Sequence, residues 1–376
     1  MPAYDVLIVG GGPAGSTLAY SLKNAGLSIC ILDKATFPRQ KVCAGWVTPE
    51  VMRVLNVDLK DYSRGRVLQK ITGFRISQTG QQQIESRYPG EPASYGIRRI
   101  EFDHYLLQRC GAELFTGEAF KAMEKSADGW VINGKYKSKL VIGAGGHFCP
   151  VARAIGSKGA SELAVAAQEV EFEMTKQQKS SCTINAETPE LFFTPDLKGY
   201  GWVFRKGDYL NIGLGREDKS KLSSHVEAFC HYLTSQGKIP NNITAKYNGH
   251  AYLLYPHAVR EMVADHALLI GDSAGLAYAK SGEGIRPAVE SAMLAAEIIR
   301  SCDNNYSKNA LQAYNNLMEK RFGRRLPGPD LLERLPLPVK MFFASQLMKT
   351  HWFTKNIVTD KWFLQTHQAR LPAISK

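Results

Sequence analysis

The sequence of 376 residues contains no long hydrophobic run. A helix that spans a membrane needs about 20 consecutive apolar residues, and the first apolar stretch, VLIVGGGPAG, is already interrupted by glycines. The start, MPAY, lacks the basic residues that open a secretory signal peptide. We therefore expect a cytoplasmic protein without a membrane-spanning segment.

The sequence also lacks the cysteine spacing of a disulfide framework or of a zinc site. Its seven cysteines are scattered and odd in number, and no two of them form a Cys-x-x-Cys pair. Such a pattern is typical of small buried side chains rather than of cross-links. We expect neither disulfide bonds nor a bound metal.

Acidic residues are too few to balance the basic ones, so the formal net charge is +12. Much of this charge is local, because residues 319–376 carry eleven Lys or Arg against four Asp or Glu. Such a surface is either simply solvated or attracts anionic lipid head groups or acidic substrates. No nucleic-acid-binding motif accompanies the charge, so nucleic acid is not an expected partner.

The order of apolar runs and glycines predicts an α/β protein. YDVLIV is typical of a buried strand, STLAYSLKNAG of a helix after the glycine turn, and SICILDK of a second strand. Two more buried strands end in glycines, KSKLVIGAGG and HALLIGDSAG, and GIRPAVESAMLAAEIIRS predicts a long helix. Strand-like segments within 67–98 and 163–255 lie between these elements.

These elements predict two interleaved domains and a tail. Residues 1–66, 99–160 and 262–325 are expected to form a discontinuous Rossmann-like nucleotide-binding domain, and 67–98 and 161–261 a substrate domain built on a β-sheet, of the α+β class. Residues 326–376 form a helical, basic and aromatic C-terminal segment. This segment either caps a pocket or lies as an amphipathic helix on a membrane surface.

The first glycine-rich turn has the spacing of a dinucleotide-binding motif. Gly10 permits a tight turn, Gly12 lets a pyrophosphate approach the backbone, and Gly15 allows the helix to pack closely on the strand. The N-terminus of the helix then presents free N–H groups to the phosphates. Asp33, at the end of the next strand, is placed to accept hydrogen bonds from ribose hydroxyls. The turn therefore predicts bound NAD or FAD.

A second glycine motif favours FAD. Asp272 follows the third buried strand, and Gly282-Glu283-Gly284 opens the long helix. An acid at this place can bind a ribityl chain, and a helix N-terminus can stabilise negative charge on a reduced flavin ring. NAD requires neither feature.

Six motifs between residues 4 and 325 occur in an order that resembles the FAD-dependent group of p-hydroxybenzoate hydroxylase. They are GGGPAG, FPRQKVCAG, RRIEFD, GAGGHFCPVAR, YGWVFRKGDYLNIGLG and GDSAGLAYAKSGEGI. Within that group, KVCAG is similar to the Lys-x-Cys-Gly-Gly of the geranylgeranyl reductases, with Ala44 for the first Gly. YGWVFRKG is similar to their Tyr-x-Trp-x-Phe-Pro, with Arg205 for Pro. Flavin-dependent halogenases have a related tryptophan motif, but normally carry Ile-Gly-Glu-Ser in the earlier loop, where this chain has VCAG.

The resemblance implies which residues hold FAD. Arg39 and Arg99 would contact the pyrophosphate region, Asp272 the ribityl chain, and residues 282–285 would border the flavin ring. The expected cofactor contacts are Gly10, Gly12, Pro13, Ala14, Gly15, Asp33, Lys34, Arg39, Lys41, Val42, Cys43, Ala44, Gly45, Arg99, Gly271, Asp272, Gly282, Glu283, Gly284 and Ile285.

Cys43 is the expected catalytic residue. Reduction of an isolated C=C bond by a flavin needs a proton as well as a hydride, and a thiol with an ordinary pKa of about 8.5 can donate that proton. Lys41, two residues earlier, can tune the thiol. The alternative is that Cys43 is a small packing residue in a tight loop.

Tyr200, Trp202 and Phe204 are the expected substrate contacts. They alternate along one predicted strand and therefore share a face. On the pattern alone this face belongs to a sheet core, whereas the resemblance implies that it lines a substrate pocket above the flavin.

The resemblance implies an FAD-dependent oxidoreductase that reduces C=C bonds of a hydrophobic, isoprenoid-like substrate. The alternative is a flavin-dependent monooxygenase that hydroxylates or epoxidises a hydrophobic or aromatic compound; a halogenase and a non-enzymatic flavin-binding protein are further ones. The hydroxylases carry Gly-Ala-Asp-Gly, with an Asp linked to FAD and NADPH binding, where residues 143–146 read Gly-Ala-Gly-Gly. The electron donor is therefore open between NAD(P)H and a reduced carrier protein, and peripheral membrane contact is a further expected partner interaction.

Overall fold

The computed structural model describes residues 1–157, 162, 164–218, 221–325 and 336–375. Its strands are β1 (Ala3–Val9), β2 (Ile29–Asp33), β3 (Trp46–Val47), β4 (Leu68–Ile71), β5 (Gly73–Gln78), β6 (Ile84–Arg87), β7 (Ser94–Ile97), β8 (Glu113–Thr116), β9 (Met123–Ser126), β10 (Gly129–Ile132), β11 (Tyr136–Gly143), β12 (Ala164–Glu173), β13 (Glu190–Phe193), β14 (Gly199–Lys206), β15 (Tyr209–Arg216), β16 (Asn248–Leu253), β17 (Val263–Ala264) and β18 (Ala267–Leu269). Its α-helices are α1 (Pro13–Leu22), α2 (Pro49–Val54), α3 (Leu59–Tyr62), α4 (Arg99–Gln108), α5 (Pro150–Ala154), α6 (Lys176–Ser181), α7 (Leu222–Ser235), α8 (Ile285–Ser301), α9 (Lys308–Leu311), α10 (Ala313–Phe322) and α11 (Leu337–Leu347).

The first sheet has a parallel, Rossmann-like centre, from β18 to β8, and antiparallel strands at β17 and in the hairpin β9-β10. Its order is β17-β18-β11-β1-β2-β8, and the hairpin β9-β10 joins it through β10. β1 pairs in parallel with both β11 and β2, so the carboxyl ends of these strands open at one edge. Residues 6–9 of β1 are buried, as expected for a parallel strand covered on both faces. The expected mixed α/β class is confirmed.

Helices α1 and α8 place their N-termini at this edge. α1 begins with Pro13 directly after the glycine turn, where the missing N–H of proline leaves no helical hydrogen bond unmade. α8 starts after Gly284 and is buried along most of its length. Two glycine-rich sequences thus bring two helix N-termini to the same end of the sheet.

A second sheet, here called the large sheet because its strands β12, β14 and β15 are long, lies beside the first one. Its order is β16-β12-β15-β14-β13-β5-β6, with antiparallel pairs except for the parallel pair β13-β5. Trp202 on β14 lies opposite Gly213 on β15, and a Cβ atom at Gly213 would come within 2.2 Å of the Trp202 ring. The glycine therefore lets the indole lie flat across its neighbouring strand.

The segment 67–98 divides between two sheets. β5 and β6 join the large sheet, whereas β4 and β7 pair with β3 in a small sheet of order β3-β7-β4. β3 forms because Trp46 and Val47 pair with β7. A two-residue strand is too short to give a period in the sequence.

The C-terminal segment packs on the large sheet through one end. α11 is followed by a π-helical stretch, Phe353–Phe363, whose last residue is buried. Phe363 contacts Trp46 and Tyr200, with ring centroids 5.6 and 5.5 Å apart. Residues 326–335 of the predicted segment lie outside the described residues. Within the described parts of the chain, no helix is both long and apolar enough to cross a bilayer.

Candidate active site

A cavity of about 690 Å³ lies between the carboxyl edge of the first sheet and one face of the large sheet. Its size is within the usual range of cofactor and ligand sites. The predicted site residues that line it are Gly10, Gly12, Pro13, Ala14, Asp33, Lys34, Arg39, Lys41, Val42, Cys43, Ala44, Arg99, Tyr200, Trp202, Asp272, Gly282, Glu283, Gly284 and Ile285.

The first glycine turn is built so that no side chain fills its concave side. Gly10 has φ of 116°, and a Cβ there would lie 2.4 Å from Ala144 O. Gly15 packs against the turn itself, since its Cβ would lie 2.0 Å from Gly10 O. Gly12 faces the cavity, where the nearest atom to its Cβ position is Arg39 Nη2 at 3.5 Å. Asp33 holds the turn by accepting from Gly11 N–H at 2.8 Å.

Cationic side chains meet beside this turn. Arg99 donates two hydrogen bonds to Asp103, at 2.7 and 2.8 Å. Arg39 lies 3.4 Å from the same carboxylate and stacks over Phe37. The two guanidinium groups share one buried acid, so positive charge remains at the cavity wall. This donor set and the helix N-terminus fit a diphosphate.

A second polar cluster is formed by Lys41, His250 and Asp272. Lys41 Nζ is 3.1 Å from His250 Nδ1, and His250 Nε2 is 3.7 Å from Asp272 Oδ2. Burial, and then the charge of Arg99, lower the pKa of Lys41 to about 8. Burial opposes ionisation of Asp272, but the hydrogen bond from His250 and the charge of Lys41 outweigh it and lower its pKa. Asp272 is thus available as an acceptor for ribityl hydroxyls.

The Cys43 loop is held from the large sheet. Cys43 N–H donates to Glu169 Oε1 at 2.5 Å, and Asn211 Nδ2 donates to Cys43 O at 3.3 Å. The buried Lys206 ammonium donates to Ala44 O at 3.0 Å. Gly45, with φ of 69°, lies against the carbonyl of Ile97 and makes the close approach sterically feasible. Burial raises the pKa of the Cys43 thiol, so it stays protonated at neutral pH.

Aromatic rings form the opposite wall. Tyr200, Trp202, Tyr252 and Trp46 all line the cavity. Trp202 Nε1–H donates to Asn211 Oδ1 at 2.7 Å, which fixes the indole beside the Cys43 loop. The Tyr200 hydroxyl donates to Ser281 O as well. Such a largely aromatic wall fits a hydrophobic ligand.

Four predicted residues lie off the cavity wall. Phe204 shares the strand face of Tyr200 and Trp202, but the Trp46 ring lies over it, with centroids 6.2 Å apart. Phe204 is therefore buried behind the wall rather than facing a ligand. The other three, Gly15, Gly45 and Gly271, shape the backbone behind it.

Sequence reasoning missed three residues of the site, Glu169, Lys206 and His250. The signal for Glu169 was present: in QEVEFEM glutamates alternate with apolar residues, which on its own is typical of a solvated strand face. In the structure Glu169 is buried, whereas Glu173 on the same face is exposed. Lys206 and His250 stand in no motif that marks them.

A glycine turn before a helix N-terminus, an acid on the second strand and a second acid-glycine motif facing the same cavity define an FAD-binding flavoprotein. The chain belongs to the FAD-binding domain family, which it matches over residues 3–321. FAD is its cofactor, and it is a flavin-dependent oxidoreductase.

Three similar proteins are named as reductases. The chain is 24% identical to the digeranylgeranylglycerophospholipid reductase of Methanococcus vannielii, over 85% of this chain and 83% of that protein. It is 27% identical to the menaquinone reductase of Mycobacterium tuberculosis, over 89% and 83%. It is 29% identical to the geranylgeranyl diphosphate reductase of Rhodobacter capsulatus, over 78% and 74%.

Solved structures share the fold. A geranylgeranyl bacteriochlorophyll reductase-like protein from Thermoplasma acidophilum is 22% identical, with a TM-score of 0.74 over 93% of this chain and 88% of that chain. A flavin-dependent brominase is 16% identical, with a TM-score of 0.72 over 96% and 92%. At these identities the likeness concerns the fold, and both chemistries occur on it.

Proposed function

We propose that this flavoprotein reduces C=C bonds of a hydrophobic, isoprenoid-type substrate. The observation that carries the proposal is the convergence of the buried Cys43 thiol, the aromatic wall and the dinucleotide turn on one cavity. The names of two similar proteins, a digeranylgeranylglycerophospholipid reductase and a geranylgeranyl diphosphate reductase, support the substrate class.

FAD, when bound and reduced, supplies the hydride. Arg39, Arg99 and the N-terminus of α1 would hold its diphosphate, and Asp272 would accept from its ribityl hydroxyls. Gly282 and its neighbours at the N-terminus of α8 would border the ring. The positions of these groups at the cavity wall support the assignment.

Cys43 supplies the proton. Its raised pKa keeps a proton on sulfur, which an acid needs and a nucleophile does not. Tyr200 and Trp202 hold the isoprenoid chain and exclude water from the reacting bond. Water exclusion matters because it leaves Cys43 as the proton donor at the reacting bond.

The test is anaerobic mixing of the chemically reduced holoprotein with geranylgeranyl diphosphate. We expect the absorbance of oxidised flavin to return without oxygen. Phytyl diphosphate, which keeps only the double bond next to the diphosphate-bearing carbon, is the comparison compound and should restore less of this absorbance. If neither prenyl compound reoxidises the flavin, while one of them stimulates oxygen uptake, the protein is a monooxygenase and the proposal is wrong.

We further propose that the C-terminal aromatic surface, made of Leu337, Val339, Phe342, Phe343, Leu347 and Trp352, contacts an anionic lipid surface. Phe342, Phe343 and Trp352 are 61%, 56% and 64% exposed, although large apolar side chains are usually covered. The exposed Lys349 lies among them in the sequence, and the chain carries a net charge of +12. Aromatic side chains beside basic ones are the pattern of peripheral membrane binding.

Cosedimentation with vesicles tests this surface. The triple variant Phe342→Glu, Phe343→Glu, Trp352→Glu should lose binding to vesicles that contain phosphatidylglycerol. Val259→Glu, at an 84% exposed apolar residue outside this surface, is the matched control and should bind like the wild type. Equal binding by all three proteins would contradict a role for this surface.

A further inference from the structure

The carboxyl group of Glu169 faces the cavity from β12, next to Cys43. One of its oxygens accepts from Cys43 N–H at 2.5 Å. The other, Oε2, is buried and makes no hydrogen bond of normal geometry to the described residues, although the Asn211 side chain is beside it. Glu169 is 5% exposed. A buried carboxylate without a second partner is costly, so the site favours a protonated acid.

The charged groups around Glu169 do not neutralise it. Lys206, on β14, is the nearest cation, but its ammonium pairs with Glu171 and donates to two backbone carbonyls. Arg99, beside the Cys43 thiol, already pairs with Asp103. Lys41 and His250 contact each other farther along the same face of the large sheet. Burial accordingly raises the pKa of Glu169 to about 7.

Glu171, two residues after Glu169, shows how ion pairs change the pKa of a buried glutamate on this strand. It lies on the same strand face, but it accepts from Lys206 and Arg98. Burial alone would raise its pKa, and Lys206 outweighs that effect and lowers it. The pKa values of two glutamates of one strand therefore shift in opposite directions, because only Glu171 forms ion pairs with Lys206 and Arg98.

We propose that Glu169 is the proton-relay residue of the reduction, which restores the proton that Cys43 gives to the substrate. The inference rests on the proposed C=C reduction. In each cycle the alkene takes a hydride from reduced flavin at one carbon, and its other carbon takes the proton of the Cys43 S–H bond, which leaves a thiolate. The O–H bond of Glu169 then breaks as the S–H bond re-forms, and solvent returns a proton to the carboxylate. The overall change is the addition of one hydride and one proton to the double bond.

The test compares Glu169→Gln with Glu171→Gln in the FAD-loaded protein. Gln at 169 keeps an oxygen for Cys43 N–H and the side-chain volume, but it has no acidic proton. With holoprotein kept reduced by excess dithionite, we expect Glu169→Gln to reduce about one bond per site in a first burst and then to slow about 10²-fold, the usual contribution of a positioned acid. The wild-type steady-state rate should fall above pH 7 as Glu169 ionises, and this fall should be absent from Glu169→Gln but present in Glu171→Gln.

A second readout needs no turnover. In the infrared difference spectrum of the wild type minus Glu169→Gln, the band of a protonated carboxyl should be present at pH 6 and fade as the pH rises through 7. The subtraction removes the band of Glu283, whose pKa burial also raises to about 7. An unchanged rate and pH profile in Glu169→Gln, or a carboxyl that is ionised already at pH 5, would overturn the relay alone. A wild-type protein that reduces no prenyl alkene would overturn the proposed function, and the relay with it.

Discussion

Cys43 is the proposed proton donor of the reduction. Cys43→Ala should retain FAD, because the loop is held by its backbone N–H and C=O rather than by the thiol. It should lower the rate of C=C reduction by about 10²–10⁴-fold, the range of general acid catalysis. Flavin absorbance of the purified variant and its initial rate measure the two effects separately. Unchanged turnover would mean that sulfur is only packing, and loss of FAD would mean that the side chain is structural.

At the residue scale, the site could be predicted only where a local motif marks it. Cys43 belongs to a local sequence motif, and Asp272 follows a strand that its run of apolar residues predicts. Glu169 and His250 reach the cavity from strands of the large sheet, more than 100 positions from Cys43. Their role depends on which strand face meets the first sheet, and this is a property of tertiary structure. Phe204 was expected at the cavity but is buried behind Trp46. The alternation of Tyr200, Trp202 and Phe204 puts the three rings on one strand face, but it cannot show that another ring covers one of them.

The first glycine turn gives a prediction at the scale of one element. Gly15→Ala should prevent folding or sharply destabilise the protein, because its Cβ would lie 2.0 Å from the backbone of the turn. Gly12→Ala should fold normally, since 3.5 Å is an ordinary contact, but its methyl group would occupy the approach of the diphosphate. Thermal unfolding and FAD titration of both variants distinguish the two effects. FAD affinity of Gly12→Ala equal to that of the wild type would place the diphosphate elsewhere.

The contacts of Lys206, which connect β14 to the Cys43 loop, give a second prediction at this scale. Lys206→Met should destabilise the fold by about 3 kcal/mol, because Glu171 loses a buried partner and the carbonyls of Ala44 and Ile97 lose a donor. Adding Glu171→Gln should restore part of the loss, since the uncompensated charge disappears. Urea unfolding of the single and double variants measures both. If Lys206→Met were as stable as the wild type, the contacts of Lys206 would not hold the loop.

At the scale of the whole molecule, two buried acids couple stability to pH. Burial raises the pKa of Glu169 and of Glu283 from 4.5 to about 7. Between those values the folded chain holds protons that the unfolded chain has lost, so the free energy of unfolding should fall as the pH rises from about 4.5 to 7. The unfolding temperature of the FAD-free protein should therefore be higher at pH 5.5 than at pH 7.5. The double variant Glu169→Gln, Glu283→Gln should lose most of that difference; an equal difference in the double variant would assign it to other groups.

The architecture was more predictable than the contacts between its layers. Buried runs that end in glycine identified β1, β11 and β18, since parallel strands covered on both faces are continuously apolar. The division of 67–98 between two sheets was missed, because alternation predicts strands but not their partners. The packing of Phe363 on Trp46 and Tyr200 was missed for the same reason.

The measurement that tests the central claim most directly is the mass of the product formed by the reduced holoprotein from geranylgeranyl diphosphate, with and without oxygen. The account predicts that a product heavier by two hydrogens for each bond reduced forms without oxygen, and that a Cys43→Ala control forms none in the same time. A product heavier by one oxygen atom, formed only in air, would contradict it.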